Sequence, residues 1–211
     1  PQTAPAFGDS AGGMATAGAI AAALLKRERT GETSVVDVSL LATAMWQMAP
    51  MTVASQLFDL PAPGGKRDRT KTFNPGVGTY KTSDDRFIAF VLLQSEKFWD
   101  DFAERVGRPE LATDERFLTE ADRGKNAPAA VAILDEAFAE HDLAWWKERL
   151  DGFAGVWQVL QTLGELHEDP QAIANGYLPV MTTGNGKQVA LVANPAQFDE
   201  VPVTVERAPE H

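Results

Sequence analysis

Apolar residues recur at helical spacing between Ser10 and Arg29, at Met14, Ala17, Ala21, Leu24 and Leu25, and this period predicts a helix. Asp9 or Ser10 offers a side chain suited to cap its start. Lys26, Arg27 and Arg29 crowd the last turn, where cations suit the helix dipole, and Gly31 is placed to end it. The helix is small on nearly every face, with Ala11, Gly12, Gly13, Ala15 and Gly18 among its residues, so a backbone or a ligand can come close. Ser34 to Leu40 is rich in valine and predicts a strand. Leu41 to Phe58 returns to helix, and its Met45, Trp46, Met48 and Met51 are expected in a core.

From Asp59 to Gly78 the pattern breaks into a linker of prolines and glycines with a basic patch, Lys66, Arg67, Arg69 and Lys71. A solvated loop accounts for that patch better than a phosphate site. Beyond it, alternation predicts two strands, Thr79 to Thr82 and Arg86 to Leu93, around an Asp84–Asp85 turn. Three helices follow. Glu96 to Val106 carries Phe98, Trp99 and Phe102 on one side, and the others are Ala127 to Glu140 and Leu143 to Leu150. Val156 to Gln161 is strand-like, and Leu163 to His167 and Pro170 to Asn175 are short helices. Tyr177 to Thr183 and Gln188 to Ala193 pair around Gly184-Asn185-Gly186 as a hairpin. Gly76-Val77-Gly78 also reads as a turn. The sum is helix, strand, helix, a linker, and then a small α+β unit.

With 211 residues, 44% of them hydrophobic, the chain is long enough for a buried core in one or two domains. A net charge of −11 repels phosphate backbones, so nucleic acid is a poor candidate partner. The absence of cysteine removes disulfides, thiolate metal sites and cysteine nucleophiles. The apolar run from Met14 to Leu25 is too short and too rich in Gly and Ala to span a bilayer. With no secretory pattern at its start, the chain is expected in the cytoplasm, without a membrane partner. It opens on Pro1, and Glu206 to His211 form no closing element, so a piece of a longer polypeptide is expected.

Candidate chemistry centres on Asp9. As a helix cap it needs no further role. Beside glycines at a helix start, the same carboxylate could serve as a covalent nucleophile, with exposed N–H groups at hand to stabilise an oxyanion. His141, His167 and His211 lack a second histidine at metal-ligand spacing, and no metal site is expected. No phosphate-binding loop, dinucleotide fingerprint or Ser-His-Asp signature is present.

Several separated segments carry a resemblance. They are GDSAGGMATAGAIAAALLKRERTGE (Gly8 to Glu32), VVDVSLLATA (Val35 to Ala44), GTYKTSDDRFIAFV (Gly78 to Val91), VGRPELATDERFLTEADRGKN (Val106 to Asn126) and DPQAIANGYL (Asp169 to Leu178). In this order they resemble the class III CoA-transferase superfamily, or CaiB/BaiF family, which includes formyl-CoA transferase, carnitine CoA-transferases and alpha-methylacyl-CoA racemase. The resemblance implies an α/β fold, with part of a Rossmann-like large domain joined to a small α+β domain and two subunits interlocked as a homodimer. It places the large-domain part at 1–58, a linker at 59–78, the small domain at 79–178 and a return segment at 179–211.

The resemblance also implies a function. Asp9 matches the family's catalytic aspartate, which attacks an acyl-CoA thioester and forms a mixed aspartyl anhydride as CoA thiolate leaves. CoA thus moves between an acyl-CoA and a carboxylic acid, with CoA thioester as substrate and no permanently bound cofactor. Gly8, Gly12 and Gly13 would permit close approach of the substrate, and Leu40 matches an apolar position near CoA. An alternative is alpha-methylacyl-CoA racemase, where the aspartate does acid/base work with a histidine that would lie upstream of Pro1. The racemases tend to carry a glutamate beside the position of Tyr80, and Lys81 stands there instead, which favours transferase. The family's glycine-rich lid is reduced to Asn74-Pro75-Gly76-Val77-Gly78, which argues against oxalate or formate. A third reading is a non-catalytic fragment or subunit that needs a separate N-terminal half. The missing half supplies most CoA contacts in the family, so this stretch alone is expected to be inactive.

Overall fold

The computed structural model describes residues 6–57, 68–199 and 201. The chain divides into two compact units, Pro1–Lys66 and Arg67–His211. The division falls inside the Pro- and Gly-rich stretch.

The first unit holds three helices, α1 (Phe7–Thr30), α2 (Leu40–Gln47) and α3 (Ala49–Ala54). Helix α1 starts three residues before the sequence pattern predicts. Ala6 precedes it in a left-handed conformation, φ 58°, and no side chain caps it. Asp9 therefore lies in the first turn rather than at the cap. Gly31, at φ 73°, ends the helix as expected and donates its N–H to the Arg27 carbonyl. The strand predicted over Ser34 to Leu40 is not formed. Residues 32–39 carry no assigned structure, and no strand lies beside them among the described residues of this unit. Valine content favours extended backbone, but a strand also needs a partner's hydrogen bonds. Ser39 then caps α2 by accepting from the Ala42 N–H at 3.0 Å.

The single helix predicted from Leu41 to Phe58 is two helices. They break at Met48, φ −99° and ψ 12°, two residues before Pro50. Proline has no N–H to continue the ladder and suits the first turn of a new helix. Phe58 itself lies outside the described residues. Met45, Trp46, Met48 and Met51, expected in a core, are exposed in this unit. Only Gly12 in α1 and Thr43 in α2 are buried there among the described residues.

The second unit builds its core around an antiparallel sheet of three strands in the order β1-β2-β3, with β1 at Val77–Lys81, β2 at Phe87–Val91 and β3 at Trp157–Val159. Val77 pairs with Val91 and Phe90 with Trp157. Strand β1 starts two residues earlier than predicted, so Val77 and Gly78 belong to the ladder rather than to a turn. Asp85, at φ 62°, takes the left-handed position of the β1–β2 turn, a conformation that aspartate tolerates. The inward residues Tyr80, Ile88 and Phe90 meet Trp99 and Phe102 of α4 (Ser95–Arg105), together with Leu134 and Phe138 further along the chain. Tyr80 stacks on Phe138 at 5.0 Å and Phe138 tilts against Trp146 at 4.5 Å. Both buried indoles donate to carbonyls, Trp99 to Leu111 and Trp146 to Phe138, so each ring is buried without stranding its N–H.

Three elements of this unit were not anticipated, the 3-10 turns at Arg69–Lys71 and Pro109–Ala112 and α5 at Glu120–Lys125. Helix α5 buries Arg123. Its guanidinium donates to the carbonyls of Phe117 (2.8 Å) and Leu118 (3.2 Å) and to Ser95 Oγ (3.1 Å), pairs with Glu96 (3.1 Å), and lies 4.7 Å over the Trp99 ring. The Glu120 N–H, and after it Arg123, hold the Glu96 carboxyl below the usual range. Helices α6 (Ala127–Ala139) and α7 (Leu143–Arg149) match the predicted pair closely. After α8 (Pro170–Ala174), strands β4 (Val180–Thr182) and β5 (Gln188–Ala190) form the expected hairpin, and Leu191 and Ala193 continue its hydrogen bonds to Pro179 and Tyr177.

Candidate functional site

The site that the sequence points to lies at the start of α1. Residues three and four apart share a helix face, so Asp9 neighbours Gly12 and Gly13, with Gly8 beside it in sequence. The first N–H groups of a helix have no partner within it, and no side chain caps those of α1. Asp9 is exposed at this electropositive end.

The four expected contact residues differ in surroundings. Gly12 is buried, because a Cβ built on it would come within 3.2 Å of Leu40 Cδ2 and 3.9 Å of Thr43 Oγ1. Its smallness admits helix α2. Nothing among the described residues comes within 4 Å of a Cβ built on Gly8 or Gly13, so the two glycines face open space. Leu40 is the first residue of α2, and its contact with Gly12 brings it within one turn of Asp9. All five expected residues thus come together in one unit.

Polar residues that sequence reasoning passed over support this meeting. Thr43 is buried and donates to the Ser39 carbonyl at 3.0 Å, and Thr16 donates to the Gly12 carbonyl at 2.8 Å. A groove beside the contact is lined by Ala11, Ala15, Asp37, Ser39, Ala42 and Trp46. The signal available in sequence was Ser39 three residues before Ala42, the spacing of a helix cap, which the valine run obscured.

In the second unit, one residue of the basic patch is pinned. Arg69 is fixed against Asp135, with 2.9 Å between Nη2 and Oδ1, and lies over the Tyr80 ring. Lys71 is exposed, 4.0 Å from Asp68, and Lys66 and Arg67 lie outside the described residues. Burial pushes the Tyr80 hydroxyl well above its ordinary range, and it donates to the Pro75 carbonyl at 2.6 Å. His141 stacks on Trp145 at 3.7 Å and His167 is exposed. Among the described residues no cluster of three His, Asp or Glu is placed to hold a metal ion, and no helix is long and apolar enough to cross a membrane.

The family model described as CoA-transferase family III matches residues 1–211. The chain belongs to that family. Among its relatives, the cinnamoyl-CoA:phenyllactate CoA-transferase of Clostridium sporogenes is 32% identical over 203 residues, which cover 95% of this chain and 48% of the relative. The (R)-2-hydroxy-4-methylpentanoate CoA-transferase of Clostridioides difficile is 31% identical over 93% of this chain and 48% of its own length. This family III chain therefore spans about half the length of the curated relatives it matches. Solved structures agree on the fold. A CaiB/BaiF family protein from Brucella suis matches all of the chain and 54% of its own, with TM-score 0.72 and 24% identity. Rv3272 from Mycobacterium tuberculosis matches 97% of this chain and 53% of its own, with TM-score 0.78 and 24% identity. The mixed helix-and-sheet fold of a family III CoA-transferase is thus established for this chain.

Proposed function

We propose that the protein to which this chain belongs moves CoA between an acyl-CoA and a carboxylic acid, with Asp9 as the nucleophile. One observation carries this reading. Asp9 is exposed in the first turn of α1, inside the GDSAGG segment that resembles the family's catalytic block.

The chemistry balances in four acyl steps. The Asp9 carboxylate attacks the thioester carbonyl, forms a mixed anhydride and expels CoA thiolate. The thiolate attacks the aspartyl carbonyl of that anhydride, which releases the first acid and leaves an aspartyl thioester. The second acid's carboxylate attacks this thioester, so the thiolate leaves again and a new anhydride forms. Finally the thiolate attacks the acyl carbonyl of the new anhydride, giving the product thioester and free Asp9. Open N–H groups at the start of α1 suit the oxyanion that develops in each step. Gly8 and Gly13 leave room for the substrate beside the carboxylate, and Leu40 offers an apolar wall. Substrates of the homologues named for phenyllactate and (R)-2-hydroxy-4-methylpentanoate make 2-hydroxy acids the first acceptors to try.

The test uses the full-length protein. It is incubated with a panel of acyl-CoAs, treated with hydroxylamine, and mapped by mass spectrometry. A hydroxamate on Asp9 is expected, and Asp9→Asn should lower turnover by at least about a thousandfold while still binding CoA. If CoA-binding protein gives no adduct but exchanges the C2 proton of a 2-methylacyl-CoA, Asp9 acts instead as an acid or base in a racemase.

A further inference from the structure

The stretch that enters the second unit, Asp68 to Gly76, is held down by two fastenings of different kinds. The outer one is Arg69. Asp68 shapes the 3-10 turn Arg69–Lys71 by accepting from the Thr70 N–H (3.0 Å) and hydroxyl (2.6 Å). The turn presents Arg69 to Asp135 of α6 in a two-pronged pair, Nη1 to Oδ2 at 3.1 Å and Nη2 to Oδ1 at 2.9 Å. The guanidinium also covers the Tyr80 ring at 4.9 Å. Both side chains of this pair are about two-fifths exposed, at 41% and 42%.

The inner fastening is Asn74, which is only 1% exposed. Its Nδ2 donates to the Leu92 carbonyl (2.9 Å), its Oδ1 accepts from the Gly76 N–H (2.8 Å), and its carbonyl accepts from Val77 (3.0 Å). Leu92 returns an N–H to the Gly76 carbonyl at 3.0 Å. Beside Asn74, the Phe73 carbonyl lies so close to Gly124 of α5 that a Cβ there would come within 2.8 Å of it. This end of the stretch is part of the sheet's own packing. Thr72 belongs to this anchored end, its hydroxyl donating to the Asn74 carbonyl (3.0 Å) and accepting from the Asn74 N–H (3.2 Å). Residues 68–71 are tied to it, among the described residues, by one solvent-facing ion pair and a ring contact.

We propose that residues 68–71 form a releasable strap, with Arg69–Asp135 as its latch and Thr72–Asn74 as its permanent anchor. Opening the latch frees these four residues without disturbing β1. The inference stands on the second unit alone and does not depend on the reaction assigned above.

Limited trypsin digestion of the full-length protein tests it, with cleavage of the Lys71–Thr72 bond as the readout. Cleavage that is slow compared with reclosing follows the open population. Asp135→Asn should therefore speed it about fivefold, the weight of a well-aligned, partly exposed pair. Raising salt should speed cleavage in the parent and not in that variant, which cancels any effect of salt on trypsin itself. Exchange of the Gly76 and Leu92 amides should stay slow in Asp135→Asn and become fast in Asn74→Ala. The swap Arg69→Asp with Asp135→Arg should restore slow cleavage, which separates the latch from a general loss of stability. Unchanged cleavage in Asp135→Asn overturns the proposal. So does loss of protection at Gly76 and Leu92 together with the latch, since strap and sheet would then open as one body.

Discussion

Gly12 and Gly13 are neighbours in sequence, yet a helix turns them about 100° apart and gives them different work. A methyl group on Gly12 meets Leu40, whereas one on Gly13 meets open space among the described residues. Replacing a mid-helix glycine by alanine gains about 0.5–1 kcal/mol when nothing obstructs the methyl. Gly13→Ala should therefore raise the Tm of the full-length protein, and it should lower kcat/KM because the substrate needs that space. A Tm rise with unchanged kcat/KM would remove Gly13 from the substrate's path. The sequence marks every small residue of α1 equally. Only the position of α2 tells which of them is spent on helix packing.

At the scale of elements, α4, α6, α7 and the β1–β2 pair form as predicted because each sets one face against one core. Helix α5 was illegible for a physical reason. Its six residues make less than two turns, and its one buried side chain is a charged one, Arg123. Hydropathy reads such an arginine as surface, but here carbonyls at Phe117 and Leu118, fixed by a non-repeating loop, accept its hydrogen bonds. The fork geometry matters, since lysine cannot reach the same set of acceptors at once. Arg123→Lys should cost about 2 kcal/mol, from hydrogen bonds to a buried charge that are lost or bent. A lowered urea midpoint with an unchanged slope would show it. A loss of unfolding free energy below about a tenth of that cost would mean that the Trp99 stack and the aliphatic stem, not the fork, carry the residue's role.

Across the whole molecule, apolar burial is uneven. The second unit encloses a continuous core of aromatic and aliphatic side chains, while α1 to α3 leave Met14, Leu25, Trp46 and Met51 exposed. A helix whose apolar side is uncovered draws little stability from packing. In the 211-residue chain, amides in β2, α4 and α6 should exchange slowest, and those in the middle of α1 should exchange orders of magnitude faster. Equal protection in both units would show that the first is held by more than its own contacts. The same unevenness explains what the sequence could convey. The boundary between units is written locally in prolines and glycines. The strand expected at Ser34 to Leu40 depends on a neighbour, and no local pattern supplies one. The closeness of Asp9 to its glycines was legible because one helix carries them all, whereas the contact of Leu40 with Gly12 needed the return of the chain.

That return has little slack. From Gly12 to Gly31 the helix climbs about 28 Å, and Leu40 comes back to touch Gly12. The backbone between Gly31 and Leu40 reaches at most about 32 Å even when drawn straight. The segment therefore behaves as a taut guy-line whose length, more than its valines, sets where Leu40 meets Gly12. A single missing residue along it would be felt at the far end of the helix.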